Sequence, residues 1–181
     1  MLVCVCSVDD SRRPRLVVAD SPIQGLGVFA LEAIARGTVI LHVDDSRVVD
    51  EKHPLNGHDG ELAIHRDFLP DGTVTLMRSP ERHINHSCEP NAYIYSANRK
   101  RFLLAKRVIA AGEEIFMDYA LNAVDGDEWE CRCGVPACRG YHKCDFFALA
   151  PQLQREYLPY LDPWFAEVHA ERIQRLLAES V

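Results

Sequence analysis

A mainly β (α+β) fold that closes on C-terminal helices is predicted by three features of the 181-residue chain. Short β-rich runs bounded by Gly, Pro, Asp or Asn fill its first two thirds, residues 44–71 break that texture, and beyond Cys144 apolar residues recur at helical spacing. The length suits one domain with its own core. A composition of 48% hydrophobic and 26% charged residues is that of a folding chain, not a disordered one.

Taken in order, strands are expected at 15–18, 38–43, 72–77, 92–95, 102–109 and 114–116. Residues 44–71 combine His, Gly, Pro and many acids without sustained periodicity and read as an irregular insert, with one short helix near 61–65. Phe146, Leu149, Leu153 and Tyr157, then Phe165, Val168, Ile173, Leu176 and Leu177, mark two terminal helices. Asp162 followed by Pro163 supplies an N-cap and a preset first-turn φ for the second, which runs to about Ser180. Their apolar stripes are expected to pack on the β core; the alternative is that Trp164 and Phe165 beside Leu161 form a homodimer face or a substrate platform.

Asp+Glu 27 against Lys+Arg 20 gives a net charge of -7, which argues against nucleic acid as the main partner and favours a basic one. Arg99, Lys100 and Arg101 with Lys106 and Arg107 form only a local basic patch. Residues 1–6 are apolar but are cut off by Asp9, Asp10, Arg12 and Arg13, too short a run for a signal-peptide core or a bilayer span. No membrane association is expected, and the protein reads as soluble and intracellular. Seven cysteines, an odd number, then favour metal binding or free thiols over a disulfide framework.

Cys131, Cys133 and Cys138 lie within eight residues around Gly134 and Pro136, a turn-rich loop suited to wrapping a metal. Thiolates hold Zn²⁺ tetrahedrally, so a fourth ligand must come from elsewhere; Cys88, Cys144 and His142 are the candidates. The segment Arg82-His83-Ile84-Asn85-His86-Ser87-Cys88-Glu89-Pro90-Asn91 is dense in side chains that compete for backbone hydrogen bonds. Gly25-Leu26-Gly27 permits close backbone approach to a ligand, or simply a tight turn. Glu113-Glu114-Ile115-Phe116-Met117-Asp118-Tyr119 joins a turn to a strand ending in Tyr.

In this order and spacing the four pieces, running from about residue 17 to 144, resemble the SET-domain protein lysine methyltransferases with a zinc-binding post-SET segment. The resemblance implies a SET-type β-clip of small sheets in which the Asn85 segment is threaded past the Tyr119 segment as a pseudo-knot. It divides the chain into an N-terminal segment 1–16, a SET domain 17–122 with its insert at about 44–71, a post-SET segment 123–144 and a helical extension 145–181. S-adenosylmethionine would lie against the backbone of Gly25, Leu26 and Gly27, against Arg82, Asn85 and His86, and with Tyr141 at its adenine. Zn²⁺ would be held by Cys88, Cys131, Cys133 and Cys138, leaving Cys144 over, and Tyr119 would be the catalytic residue.

A lysine amine with a pKa near 10.4 is neutral in only about one molecule in 2,500 at pH 7, a deficit of roughly 4.6 kcal/mol. A narrow apolar channel that desolvates the ammonium offsets it, and holding the nitrogen in line with the methyl group makes the displacement a positioned event. Three positions depart from the family pattern. His83 stands in place of an aromatic Phe or Tyr, the strand at 39–43 carries His42 and no Tyr, and Met117 occupies the place of a Phe or Tyr that influences the number of methyl groups added. Tyr93 or Tyr95 is the expected substitute channel wall, with Met117 leaving room for more than one methyl transfer. These departures also leave open a non-catalytic SET-like interaction module that retains zinc. Eight acids against three Arg or Lys in the insert, with Asp125, Asp127, Glu128 and Glu130, suggest an acidic groove for a basic peptide such as a histone tail.

Overall fold

The structure, a computed structural model, describes residues 13–178; the apolar stretch at 1–6 and the helix end expected near Ser180 lie outside them. Five small sheets precede the helices, the arrangement that the resemblance implies. Strands β1 (Leu16–Asp20) and β2 (Leu26–Ala30) form an antiparallel hairpin in the register Leu16↔Ala30. The Gly25-to-Ala30 stretch is therefore not merely a turn before a strand: Gly25 closes the turn at φ 53°, and Val28 and Ala30 enter the core. Strand β3 (Val39–His42) and the insert hairpin of β4 (Arg66–Phe68) and β5 (Val74–Leu76) follow. Strand β6 (Asn85–His86) is short, and β7 (Ala92–Ala97) and β8 (Lys100–Ala105) are joined at Asn98 and Arg99, both at positive φ as a two-residue hairpin turn demands.

The central sheet has the order β3-β8-β7, and its middle strand carries the unbroken buried run from Phe102 to Ala105. The single strand expected at 102–109 ends at Ala105; Ile109 instead bridges to Ile34. Strand β9 (Phe116–Met117) lies parallel to β6, pairing Asn85 with Phe116 and His86 with Met117. That pairing sets two segments far apart in sequence side by side. A last hairpin, β10 (Glu128–Glu130) with β11 (Tyr141–Lys143), frames the cysteine loop.

The insert is ordered largely by ion pairs, so the expected strand at 72–77 appears as β5 while its partner β4, with no buried face, was not foreseen. The Arg47 guanidinium meets both oxygens of Glu61, at 2.8 and 2.7 Å, and the carbonyls of Val48, His53 and Pro54. Arg101 clamps Asp45 and Asp67. Asp44 faces Arg78, and Asp50 bonds His53. Five of the insert's eight acids, Asp44, Asp45, Asp50, Glu61 and Asp67, are thus paired within the protein, and Arg101 is withdrawn from the basic patch. The helix expected near 61–65 is a single 3₁₀ turn at Ala63–His65, with another at Gly57–Asp59.

The main core joins Val28, Ile34, Ile40, Leu103, Ile109 and Ile115. A second cluster, built from Ala120, Phe146, Leu149, Tyr157, Leu161 and Phe165, seats the C-terminal extension. The extension holds α1 (Pro151–Tyr157), α2 (Pro163–Val168) and α3 (Ala170–Ala178), three helices in place of the expected two. Phe146 lies in a separate 3₁₀ turn because Pro151 starts α1 afresh, and His169 leaves the helical region between α2 and α3. Asp162 caps α2 as expected, accepting from the Trp164 N–H at 3.2 Å. Leu161 and Phe165 are buried within the chain's own second cluster, which removes them from a dimer face. Among the described residues no helix is long and apolar enough to cross a membrane.

Phe146 has no exposed surface and packs on Phe147 and Phe165, so Phe146→Ala should destabilise the protein by about 3–5 kcal/mol, read as a shifted urea midpoint.

Candidate active site and metal centre

Four thiols converge where the cysteine loop meets the segment after β6. The Sγ atoms of Cys88, Cys131, Cys133 and Cys138 all lie within 4.8 Å of one another. Cys88 and Cys131 are 3.8 Å apart, and sulfurs at tetrahedral corners about 2.3 Å from Zn²⁺ would be separated by about 3.8 Å. Ile23 and Val135 cover the cluster, and the Arg139 N–H points at the Cys88 sulfur from 3.5 Å. Both donor set and spacing therefore fit a structural Zn²⁺. Of the three candidates for the fourth ligand Cys88 joins the loop, while His142 and Cys144 contact each other at 3.6 Å.

Beside the thiols lies a buried polar network centred on Asp118. Its side chain has no exposed surface and accepts from four donors. Arg139 binds it bidentately at 2.7 and 3.0 Å, the Tyr157 hydroxyl donates at 2.9 Å and the Ala120 N–H at 3.1 Å. Burial alone would raise this carboxyl, but the Arg139 guanidinium and the N–H donors hold it below the usual carboxylate range. His86 and His142 flank it with ring centroids 3.9 Å apart, and burial drives each down to about 4. Both imidazoles are neutral at pH 7, so Arg139 alone balances the Asp118 charge.

That neutrality defines the proton positions. His86 Nδ1 accepts from the Tyr119 N–H at 3.3 Å, which leaves the proton on Nε2, facing the Cys88 sulfur at 3.6 Å. One ring therefore links the Tyr119 main chain to a thiol of the metal centre, as outer-sphere partners of metal ligands commonly do. The Tyr119 hydroxyl donates to the Ile84 carbonyl at 2.5 Å, and burial pushes it up to about 12. It is a neutral donor at pH 7, and the oxygen's lone pairs stay available to a ligand. The rings around it are His86, Trp129 and His142.

A third group of contacts holds the Gly25 loop. Asn85 Nδ2 lies 3.2 Å from the Gln24 carbonyl, 3.0 Å from that of Leu26 and 2.9 Å from Glu114 Oε1. The Glu114 carboxylate also accepts from Ser21 and rests directly on Gly27, where a Cβ would come within 2.1 Å of Oε1. Gly27 thus makes room for a side chain of the protein itself, whereas at Gly25 nothing lies within 4 Å of a Cβ position. Asn91, fully buried, ties the motif to the next strand by accepting from the Phe116 N–H at 2.8 Å and donating to the Glu114 carbonyl at 2.7 Å.

The expected site residues therefore divide. Gly25, Leu26, Gly27 and Asn85 come together, and His86 sits between Tyr119 and the thiols, its ring enclosed by protein. Arg82 is exposed and donates to His83, and Tyr141, 53% exposed, extends along β11. Met117 packs on the main core. Tyr93 turns its ring onto Tyr160 of the extension, so the aromatic neighbours of Tyr119 come from Trp129 and the two histidines instead of Tyr93 and Tyr95. Asp118, Arg139 and Tyr157 were unassigned from sequence: Asp118 lies in the segment ending at Tyr119 and Arg139 directly follows Cys138, but Tyr157 reads only as one apolar position of a helix.

The SET-domain family model matches residues 25–120, and the chain belongs to that family. A histone-lysine N-methyltransferase of Mycosarcoma maydis, described as H3 lysine-4 specific, is 34% identical over 144 residues, covering 72% of this chain and 10% of that protein. The protein of the same description from Schizosaccharomyces pombe is 33% identical over 144 residues, with coverages of 72% and 15%. Histone-lysine N-methyltransferase ash1 of Drosophila melanogaster is 35% identical over 139 residues, with coverages of 70% and 6%. The shared region is thus a small part of these relatives' own lengths.

Gly27→Ala should force the Glu114 carboxylate off the strand and release Asn85, at a cost of about 1–3 kcal/mol in unfolding free energy, whereas Gly27→Ala combined with Glu114→Ala should recover part of that loss.

Proposed function

We propose that the chain is an S-adenosylmethionine-dependent protein lysine N-methyltransferase acting on a basic protein, a histone-like tail foremost, inside the cell. The observation that carries this reading is Tyr119: its hydroxyl is spent as a donor on Ile84, its ring lies among His86, Trp129 and His142, and its main chain is tied to the motif that also shapes the Gly25 loop. Family membership and the names of the relatives support the same chemistry.

S-adenosylmethionine, when bound, supplies a methyl group on a positively charged sulfur. The residues that would hold it are Gly25, Leu26 and Gly27, with Asn85, Arg82 and Tyr141 at their side. Because the Tyr119 hydroxyl already donates to a carbonyl, its free lone pairs face a substrate as acceptors and can orient an amine N–H or a polarised methyl C–H. A phenol pushed up to about 12 does not serve as a general base at neutral pH, so the amine's proton leaves to water. The Trp129 ring excludes water on the post-SET side, where desolvation favours a neutral amine. Exposed Asp125, Asp127 and Glu128 flank Trp129, with Glu130 paired to Arg132, and take over the attraction for basic peptides that the insert's arginine-paired acids do not provide. Cys88, Cys131, Cys133 and Cys138 would hold Zn²⁺ and so keep the segment 123–144 against the SET domain.

Transfer from labelled S-adenosylmethionine into mixed core histones tests the reading. Wild type should label a histone band and, at exhaustive turnover, yield more than one methyl per lysine by mass spectrometry. Tyr119→Phe should lower kcat on the order of 10²-fold while cofactor affinity stays within a few-fold. Cofactor binding by wild type without transfer to any basic protein would instead favour the non-catalytic module. Chelation of the metal should release about one Zn²⁺ per chain and lower the thermal midpoint by many degrees, with cofactor binding lost in parallel; absence of bound zinc would refute the centre.

A further inference from the structure

The C-terminal extension sends a polar group into the site. Tyr157, at the end of α1, is 1% exposed, and its hydroxyl donates to Asp118 Oδ2 at 2.9 Å. Each oxygen of that carboxylate has two donors: Oδ2 takes Arg139 Nη1 and Tyr157, and Oδ1 takes Arg139 Nη2 and the Ala120 N–H. The acceptor capacity facing the protein is thereby filled in a place that water does not reach. Remove the phenol, and Oδ2 keeps a single partner in a dry site, where an under-satisfied charged group costs far more than at the surface.

Resting on the methyltransferase reading above, we propose that Tyr157 is a positioning residue for Tyr119: its hydroxyl fixes the Asp118 carboxylate, and through it both the Tyr119 main chain and the Arg139 side chain. Asp118 Oδ1 accepts from the Ala120 N–H across Tyr119, and the Tyr119 N–H is directed at His86, so a carboxylate held in place holds the turn that carries the catalytic side chain. Arg139 follows the metal loop, and its N–H points at Cys88, so the same carboxylate also sets the post-SET side.

Tyr157 is itself held. The Lys106 ammonium lies 5.1 Å from its ring centroid, and Gln154, one turn earlier on α1, donates to the Leu149 carbonyl at 2.6 Å and the Phe147 carbonyl at 3.3 Å. A phenol also has the right charge. Arg139 already balances Asp118, and a neutral fourth donor completes the coordination without adding a positive charge beside a site that must receive a sulfonium and an ammonium.

The test uses the full zinc-loaded chain and compares Tyr157→Phe, which keeps the ring and its packing, with Tyr160→Phe, which removes the other phenol of the extension at its 3.4 Å contact with Arg36. Methyl transfer to mixed core histones should show kcat reduced about tenfold in Tyr157→Phe with KM within twofold, zinc content unchanged, and both constants unchanged in Tyr160→Phe. Amide exchange of peptides spanning 117–121 should accelerate at least fivefold in Tyr157→Phe alone. Wild-type kinetics and exchange in Tyr157→Phe overturn the inference, as does an equal loss in both variants. If wild type labels no histone, the methyltransferase reading fails on its own, and the exchange measurement still decides whether Tyr157 positions the Tyr119 segment. Should Tyr157→Phe not fold, the hydroxyl proton of Tyr157 in wild type is read by NMR with ring-labelled tyrosine: slow exchange with solvent supports the bond, and fast exchange overturns it.

Discussion

The carboxylate of Asp118 has no solvent to share its charge, so its donors must be brought to it, and they come from three separate parts of the chain. Arg139 arrives from the loop after the thiol cluster, Tyr157 from the terminal helices and the Ala120 N–H from its own turn. A buried pair of this kind is weak evidence for net stability, because desolvation consumes most of the attraction, but removing one partner typically costs about 3–5 kcal/mol. What it contributes is placement: a SET core, the cysteine loop and a helical extension can all satisfy Asp118 in one relative arrangement.

The thiol cluster and this network are neighbours through His86 and Arg139, which each reach toward the Cys88 sulfur. Neutral imidazoles are what make the contact workable. With both rings driven down to about 4 by burial, the interior holds one guanidinium and one carboxylate, and the donor left on His86 Nε2 faces the sulfur. Thiol cluster, carboxylate and Tyr119 therefore share a single set of tautomers. The polar interior acts as one unit, and a change at any member is felt at the others.

The insert shows the reverse use of charge. Arg47 and Arg101 gather acids and carbonyls from segments with little apolar surface to bury, so order there is largely electrostatic, local around Arg47 and long-range through Arg101. One consequence reaches function: acids held by arginines exert little field at a distance, and around Trp129, beside Tyr119, only Glu130 is paired in this way, to Arg132, while Asp125, Asp127 and Glu128 stay exposed.

Much of this protein was legible in residue order. Most strand runs, the cysteine spacing and the Asp162-Pro163 cap depend on short-range periodicity or on residue types whose chemistry admits few uses, and the Asn85 and Tyr119 motifs pair as neighbouring strands. Strand β5 was legible as the run at 72–77, but its partner β4 stayed hidden because it has no buried face and is tied to the fold by the Asp67–Arg101 ion pair, and the helix break at His169 because the apolar stripe continues across it. Gly27 could be read as room for a ligand, yet only the fold shows that the room belongs to Glu114. The same holds for Trp129, which stands beside Tyr119 where Tyr93 or Tyr95 was expected, and for Tyr157, whereas the fourth thiol, Cys88, was already implied by the family resemblance. Sequence by itself determined which chemical groups were available; which of them meet was decided by tertiary structure, because charge neutralisation and hydrogen-bond satisfaction in a dry interior are properties of contacts between segments distant along the chain.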